Sequence, residues 1–125
     1  MQKNPIIFWE LASHDMEKSA SFFREVFEWD IEMNKRLGFY IIPASSPPGE
    51  QIDGGIFTLR KAKLPFVTLY IRVEDIDAKT KLIEENGGFI VEAPFDIASG
   101  ARICLFNEPS GVTFAMIQAA HSEKK

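Results

Sequence analysis

Glu10 is the residue whose setting first suggests chemistry, because it is an acid placed directly after the apolar run IIFW, residues 6–9. A carboxylate there could act as a general base or as an oxygen ligand of a metal ion. One carboxylate alone makes a weak metal site. The more ordinary interpretation is a polar pocket wall or an ion pair near Tyr70 or Arg72. We therefore predict a binding role for Glu10 and no catalytic role.

The histidines and the cysteine are the remaining candidates for metal binding or nucleophilic chemistry. His14 lies beside a predicted helix start and His121 lies in the tail, and no second His or Cys stands at metal-ligand spacing from either. Cys104 lies within RICLF, a predicted strand, and no histidine follows it at an activating position. We predict a solvated His14, a buried Cys104, no catalytic residue and no metal ligand among these side chains.

A repeat with an offset of 60 residues organises the chain around these positions. ELASHDMEKSASFFREVFEWDIEM, residues 10–33, and YIRVEDIDAKTKLIEENGGFIVEA, residues 70–93, share chemical class and periodicity although few residues are identical. Internal repeats of this kind indicate duplicated structural units. We predict one domain, residues 1–125, built from unit one (about 5–60) and unit two (about 65–120).

Each unit has the same order of predicted elements, which is one strand, one helix and three further strands. Asp15 and Asp75 stand at the two helix starts, where a short carboxylate side chain can accept hydrogen bonds from free backbone amides. The helix after Asp15 has apolar residues at the helical period, and the second helix stops at the sequence Asn-Gly-Gly. The fold class is therefore α+β, with βαβββ twice. The predicted strands cover residues 6–11, 30–33, 39–43 and 55–59 in unit one and 66–73, 89–92, 101–106 and 113–118 in unit two.

The first helix differs from the second at its end. Glu28 stands at the position that the offset gives to Gly88 in unit two. Glycine adopts a positive φ without strain, and a glutamate in that conformation costs about 1 kcal/mol. We predict this strain at Glu28 if the two helices end in the same way.

Composition and charge exclude several classes of function. The net charge is −4 and the basic residues are scattered, so we predict no nucleic-acid partner. No apolar run reaches the roughly 18 residues of a membrane span, and the first residues lack the pattern of a signal peptide. The single cysteine excludes an internal disulfide. A cytoplasmic protein without a membrane partner is the simplest interpretation.

Three stretches in repeat order resemble a known family. FWELASHDMEKSASFFREVFEW is similar to the first strand and helix of the vicinal oxygen chelate superfamily, and LYIRVEDIDAKTKLIEENGG is similar to its second strand and helix. GARICLFNEPSGVTFAMI is similar to its closing hairpin. This superfamily includes glyoxalase I, bleomycin-resistance proteins, extradiol dioxygenases and fosfomycin-resistance enzymes. The resemblance implies a glyoxalase-like mixed sheet, curled into a cup with one helix per unit, and a homodimer.

The resemblance also implies where a divalent metal would be held. Its enzymes place His, Gln and Glu ligands on the first strand of each unit and on the last strand of the second. These positions fall on Phe8, Thr68 and Ala115 here, and a further ligand on the last strand of unit one falls on Ile56 or Thr58. Phenylalanine and alanine side chains cannot ligate a metal, and a lone threonine hydroxyl is a poor ligand. We therefore expect no metal and no cofactor.

The sequence thus predicts a glyoxalase- or bleomycin-resistance-like protein that binds a small apolar or aromatic molecule in its cup. Strand alternation puts Phe8 and Glu10 on the cup face and turns Trp9 and Leu11 to the helix. Two alternatives stay open, namely a metal-dependent lyase, isomerase or dioxygenase of the same superfamily, and a dimeric accessory module whose cup is filled by its own side chains. The predicted ligand pocket consists of Phe8, Glu10, Thr68, Tyr70, Arg72 and Ala115.

Overall fold

The computed structural model describes residues 3–44, 52–59 and 64–120. Within these ranges the chain forms two helices, α1 (Met16–Phe27) and α2 (Ile76–Glu85). Neither helix is long and apolar enough to cross a membrane. The strands are β1 (Ile6–Ser13), β2 (Glu32–Asn34), β3 (Phe39–Ile42), β4 (Asp53–Thr58), β5 (Phe66–Arg72), β6 (Phe89–Asp96), β7 (Arg102–Asn107) and β8 (Thr113–Gln118).

The chain divides into two compact units, which are Phe8–Thr68 (unit one) and Met1–Ile7 with Leu69–Lys125 (unit two). In unit one the strand order is β2-β3-β4-β1, with β1 parallel to β4 and the other pairs antiparallel. The boundary between the units falls within β5, and in unit two the order is β5-β8-β7-β6, with the part of β5 from Leu69 onward parallel to β8. Each repeat therefore contributes a mixed strand array and one helix, which confirms the predicted α+β fold of two βαβββ units. That both units form one domain stays a prediction.

The two helices begin as the sequence predicts. The Asp15 side chain accepts hydrogen bonds from the backbone amides of Glu17 and Lys18, and the Asp75 side chain accepts one from Ala78. A carboxylate at this position also interacts favourably with the positive end of the helix dipole.

A second hydrogen bond at each helix start comes from the last strand of the same repeat. The Met16 amide donates to Thr58 Oγ1 at 2.9 Å, and the Ile76 amide donates to Gln118 Oε1 at 2.7 Å. Both the donors and the acceptors are related by the 60-residue offset. Each helix is therefore fixed to the final strand of its own βαβββ repeat by a side chain, because that side chain satisfies a backbone amide that has no partner within the helix.

The helix ends are similar in conformation but not in residue type. Glu28 has φ 59°, so the predicted left-handed conformation is present. In unit two the left-handed residue is Gly87, with φ 90°, and not Gly88. The Gly88 amide instead donates to the Ile83 carbonyl at 2.8 Å, the longer-range bond of a Schellman motif.

Each unit has its own apolar core between its helix and its strands. In unit one, buried Ala20 of α1 meets Ile31, Ile42 and Ile56, and Trp9, Leu11 and Phe23 pack around them. In unit two the buried cluster consists of Val73, Ile76, Cys104, Phe106 and Met116. The prediction that Cys104 is a buried core residue is confirmed, and burial raises the pKa of its thiol.

Candidate functional site

Strand β1 divides its side chains between two faces of unit one. Trp9 and Leu11 pack against the helix-side cluster, as the sequence predicts. Phe8 and Glu10 therefore point to the opposite face, because strand side chains alternate. Residue Gly55 of β4 is the register partner of Glu10. The faces are thus fixed by the packing of β1 and by its pairing with β4.

On this second face, the rings of Phe8 and Phe39 lie directly over Gly55. A Cβ atom at Gly55 would lie 2.8 Å from a ring carbon of Phe39 and 3.1 Å from the tip of Phe8. These distances are too short for an unstrained contact, so the two rings lie over the glycine where a side chain would otherwise stand. The absence of a side chain at Gly55 allows the aromatic rings to approach the sheet closely.

A cavity of ≈ 470 Å³ lies within unit one beside Glu10. It is open to solvent on one side and is bordered by β1, the turn before β3, the end of β4 and the start of α1. Five of the eight described lining residues have aromatic or aliphatic side chains, Glu10 is the only charged residue among these eight, and polar and apolar atoms contribute about equally to the wall. The lining residues are Glu10, Met16, Leu37, Gly38, Phe39, Phe57, Thr58 and Leu59.

The start of α1 borders this cavity, but three of its amides already have acceptors. The Met16 amide is bonded to Thr58 Oγ1, and the amides of Glu17 and Lys18 donate to the Asp15 carboxylate. The N-terminus of a helix is otherwise a ready site for anions. These three hydrogen bonds therefore reduce the capacity of the α1 start to bind an anion.

The predicted pocket residues fall in both units. Phe8, Glu10 and Thr68 belong to unit one, and Tyr70, Arg72 and Ala115 belong to unit two. Thr68 is 3% exposed and Ala115 is fully buried, so both present almost no surface. Tyr70 is the register neighbour of Ala115, and Arg72 is exposed with its amide bonded to the carbonyl of Pro5. The shared pocket role of these six residues stays a prediction.

The strand register identifies the last-strand position in unit one that the sequence leaves open. Ala115 pairs with Tyr70, and Gly55 pairs with Glu10, so the 60-residue offset relates both members of the two pairs. Gly55 is therefore the counterpart of Ala115. Neither proposed residue holds that position, because Ile56 is buried in the helix-side core and Thr58 bonds the Met16 amide.

The donor set at these positions does not fit the divalent metal of the family's enzymes. Phe8, Gly55 and Ala115 have no ligating side-chain atom, and Thr68 supplies only a buried hydroxyl. Among the described residues no three His, Cys, Asp or Glu side chains are grouped so as to hold a metal ion. His14 is exposed, and His121 lies outside the described residues.

Sequence reasoning misses most of the cavity lining. It assigns Phe39 and Phe57 to strands but does not predict which face of the sheet they occupy. It gives no role to the turn residues Leu37 and Gly38. The offset of 60 is by itself a sufficient signal for Gly55, since it relates this residue directly to Ala115. The faces of β3 cannot be assigned from the sequence, because they depend on the antiparallel register that pairs Tyr40 with Ile56.

Comparison with known proteins gives the class of this protein, which is a βαβββ-repeat protein of the glyoxalase-like fold. The chain belongs to the Glyoxalase/Bleomycin resistance protein/Dioxygenase superfamily, whose family model matches residues 6–116. The predicted family is thereby confirmed. The match spans both repeats.

Curated relatives are similar in sequence at a moderate level. The anthracycline biosynthesis protein DauV of Streptomyces sp. (strain C5) is 28% identical over 123 residues, which cover 87% of this chain and 45% of that protein. The chain thus spans about half the length of this relative and of DnrV from Streptomyces peucetius. An uncharacterized protein of Mycolicibacterium smegmatis is 29% identical, with 83% of this chain and 95% of that protein covered.

Solved structures share the fold. A point variant of Streptomyces coelicolor methylmalonyl-CoA epimerase, in complex with 2-nitronate-propionyl-CoA, has a TM-score of 0.65 and 17% identity. The match covers 96% of this chain and 97% of the epimerase. The epimerase of Mycobacterium tuberculosis is similar, with a TM-score of 0.65, 15% identity, and coverage of 98% of this chain and 94% of that chain. At these identities the likeness concerns the fold alone.

Proposed function

We propose that this chain binds a small apolar or aromatic molecule, and that the cavity beside Glu10 receives it without a metal ion. The cavity is the observation that carries the proposal, since its ≈ 470 Å³ falls in the range of about 300–1,000 Å³ typical of small-molecule sites. Phe39 and Phe57 supply aromatic surface, and Leu37 and Leu59 add aliphatic surface.

The chemistry of the donor set favours binding over metal-assisted catalysis. A divalent metal in this family needs imidazole, amide or carboxylate ligands, and the corresponding positions hold Phe8, Gly55, Thr68 and Ala115. Glu10 alone would be a weak ligand. The metal-dependent alternative therefore requires ligands from other positions, and the accessory-module alternative requires the cavity to stay without a small molecule.

The names of two relatives support an aromatic ligand. Both Streptomyces relatives are named for anthracycline biosynthesis, and anthracyclines are polycyclic aromatic compounds. Since this chain spans only 45% of each, the support concerns the class of molecule and not a particular step.

We also propose that the chain is a homodimer, on the basis of the family's paired-unit architecture. Light scattering at micromolar concentration should give about twice the chain mass of 14.1 kDa. A constant monomer mass across that range would contradict the proposal.

The binding proposal is tested by calorimetry with 2-naphthalenemethanol, a neutral aromatic probe. Leu37→Ser should weaken saturable binding by about fivefold, because it removes about 1 kcal/mol of apolar contact from the cavity wall. Leu82→Ser on α2 is the matched control, since Leu82 is 47% exposed and Leu37 is 51% exposed. Absence of saturable binding to the native chain, or an equal loss in the two variants, would contradict the proposed site.

A further inference from the structure

Helix α1 has an outer surface, formed by Lys18, Phe22, Glu25 and Val26, that the core of unit one does not cover. Phe22 and Val26 are each 55% exposed. Ala20, the buried residue of the helix, lies on the other side, since two residues span about 200° of helix rotation. Large apolar side chains that are exposed next to one another usually mark a contact with another molecule.

The aromatic part of this outer surface is held in place by other rings. The Phe22 ring lies 5.2 Å from the Phe23 ring and 6.4 Å from the Phe27 ring, both in edge-to-face arrangements. Phe23 in turn stacks on Trp29 at a centroid distance of 4.8 Å. A ring that is already fixed loses little conformational freedom on association, so this surface is preorganised for a partner.

Two opposite charges lie along one edge of the outer surface. Glu25 follows Lys18 by seven residues, and both point in nearly the same direction because seven residues make almost two full helical turns. Both side chains are exposed, and neither forms an ion pair within residues 3–44, 52–59 and 64–120. The outer surface is therefore positive towards the start of α1, apolar in the middle and negative towards its end.

Helix α2 does not repeat this surface, although it has the same place in its own repeat. The offset of 60 gives Ala78 for Lys18, Leu82 for Phe22 and Asn86 for Val26. Leu82 is the only large apolar side chain of α2 that is exposed. The βαβββ fold therefore does not require the outer surface of α1, and a contact outside the fold is its better explanation.

A second copy of α1 is complementary to this surface. If a two-fold axis passes beside Phe22, the two helices run antiparallel and their charged edges lie on the same side of the contact. Lys18 then lies at the level of the partner's Glu25, and the symmetry produces this pairing twice. An isologous contact requires such self-complementarity.

A membrane surface is a poorer match for the same residues. Helices that lie in a membrane interface combine apolar residues with basic ones, because lipid headgroups are commonly anionic. The outer surface has an acid, Glu25, beside Val26, and the exposed Glu28 follows at the helix end. Its charges thus favour a surface that presents both signs.

We propose that the outer surface of α1 is the contact between the two copies of the homodimer, with the helices packed antiparallel across Phe22. Phe22 and Val26 of the two copies cover one another, and Lys18 pairs with the partner's Glu25. This inference rests on the homodimer of the proposed function and assigns the surface through which its copies associate.

Charge reversal tests the pairing without removing apolar surface. In sedimentation equilibrium, Lys18→Glu and Glu25→Lys should each weaken the native dimer about tenfold, because each change creates two symmetric like-charge contacts. The double variant exchanges the two charges and should return to within about threefold of the native dissociation constant. Glu85→Lys is the matched control, since it makes the same change at the α2 position that the offset relates to Glu25. It should leave the dimer unchanged.

Removal of the central ring tests the apolar part of the contact. Phe22→Ser should weaken the dimer about a hundredfold, because the axis removes the ring from both copies at once. Leu82→Ser on α2 should leave the dimer unchanged. All these positions are exposed, and circular dichroism will show that each variant is folded.

Chemical cross-linking tests the antiparallel register. A mixture of Lys18→Cys chains with Glu25→Cys chains should be joined efficiently by a short bismaleimide, and neither variant alone should be joined to itself as well. The native Cys104 is buried and does not compete for the reagent.

The outcomes separate this contact from the homodimer itself. A native chain that stays monomeric contradicts both. A native dimer that withstands Phe22→Ser, or a double variant as weak as the single charge reversals, overturns only the proposed contact, as does equal cross-linking within one variant and between the two. Recovery in the double variant, together with cross-linking that is strongest in the mixture, supports both.

Discussion

The two repeats fill equivalent space with aromatic rings that come from different strands. In unit one the indole of Trp9 on β1 lies over Gly54 of β4, where a Cβ atom would overlap the ring. The offset of 60 relates these residues to Leu69 and Phe114 in unit two. Phe114 packs against the unit two core and stacks with the Phe106 ring at a centroid distance of 6.1 Å.

At this pair of positions each unit packs one large ring against its own core, from β1 in unit one and from β8 in unit two. In unit one the ring of Trp9 is paired with a glycine, Gly54. In unit two the smaller side chain Leu69 corresponds to Trp9, and the ring of Phe114 corresponds to the glycine. Protein interiors are close-packed, so two large side chains at these positions would not fit, and two small ones would leave a void. Position-by-position identity is therefore a poor guide to this duplication, and pairs of positions are a better one.

Gly54→Phe is expected to have the largest effect, because it places two rings in one space. Overpacking of this kind costs about 3 kcal/mol of the free energy of unfolding, which urea denaturation will measure. Adding Trp9→Leu, which reproduces the pair found in unit two, should recover at least about 1 kcal/mol through favourable coupling. If the double variant loses as much stability as the two single variants together, the rings at positions 9 and 54 do not occupy the same space and the proposed exchange is disproved.

The second-largest effects on stability are expected at the two side chains that bind the helix starts, Gln118 and Thr58. Gln118→Met leaves the Ile76 amide without its partner at a buried site and should cost about 2 kcal/mol. Thr58→Val removes the corresponding bond at the part-buried Met16 amide and should cost about 1 kcal/mol, because water can replace it. Chemical unfolding of both variants tests the order, and a larger loss for Thr58→Val would contradict it.

The helix ends give a smaller and opposite pair of effects. Glu28→Gly should stabilise unit one by about 0.5–1 kcal/mol, because glycine adopts the observed positive φ without strain. Gly87→Ala should destabilise unit two by about 1 kcal/mol for the converse reason. No change in either variant, measured by thermal and urea unfolding, would mean that the left-handed strain is offset elsewhere.

The sequence is sufficient to predict the helices and strands, because the residues that determine them are close together in the chain. Capping carboxylates, helical spacing and turn residues predict both helices and all eight strands of the described chain. Strand β6 is predicted to end at Glu92 but continues to Asp96. It passes Pro94 because register shifts against β7 leave that residue outside the regular ladder pairs, where a missing amide donor is tolerated.

The site is less predictable because it depends on contacts between strands. Alternation alone assigns Trp9 and Phe8 to the correct faces of β1. It gives no indication of the glycines beneath them, since only the pairing of β1 with β4 brings Gly54 and Gly55 under those rings. The sequence of one strand alone therefore does not predict that aromatic rings will lie over two consecutive glycines of its neighbour.

The smallest expected effect concerns a surface ion pair of unit two. Arg102 Nη1 lies 2.9 Å from Asp77 Oδ2, and this hydrogen bond lowers the pKa of Asp77 from its ordinary 3.8. A lowered pKa in the folded state means that the stabilisation is present above pH 3.8 and is lost as the pH falls through the lowered value. Both side chains are solvent-accessible, so salt screens the pair and the gain in stability is small.

Arg102→Gln should therefore lower the melting temperature slightly at neutral pH and low salt, and the difference from the native chain should vanish at high salt or in strong acid. Asp77→Asn should behave in the same way. A difference for Arg102→Gln that persists in acid would show that the arginine acts through packing and not through this pair.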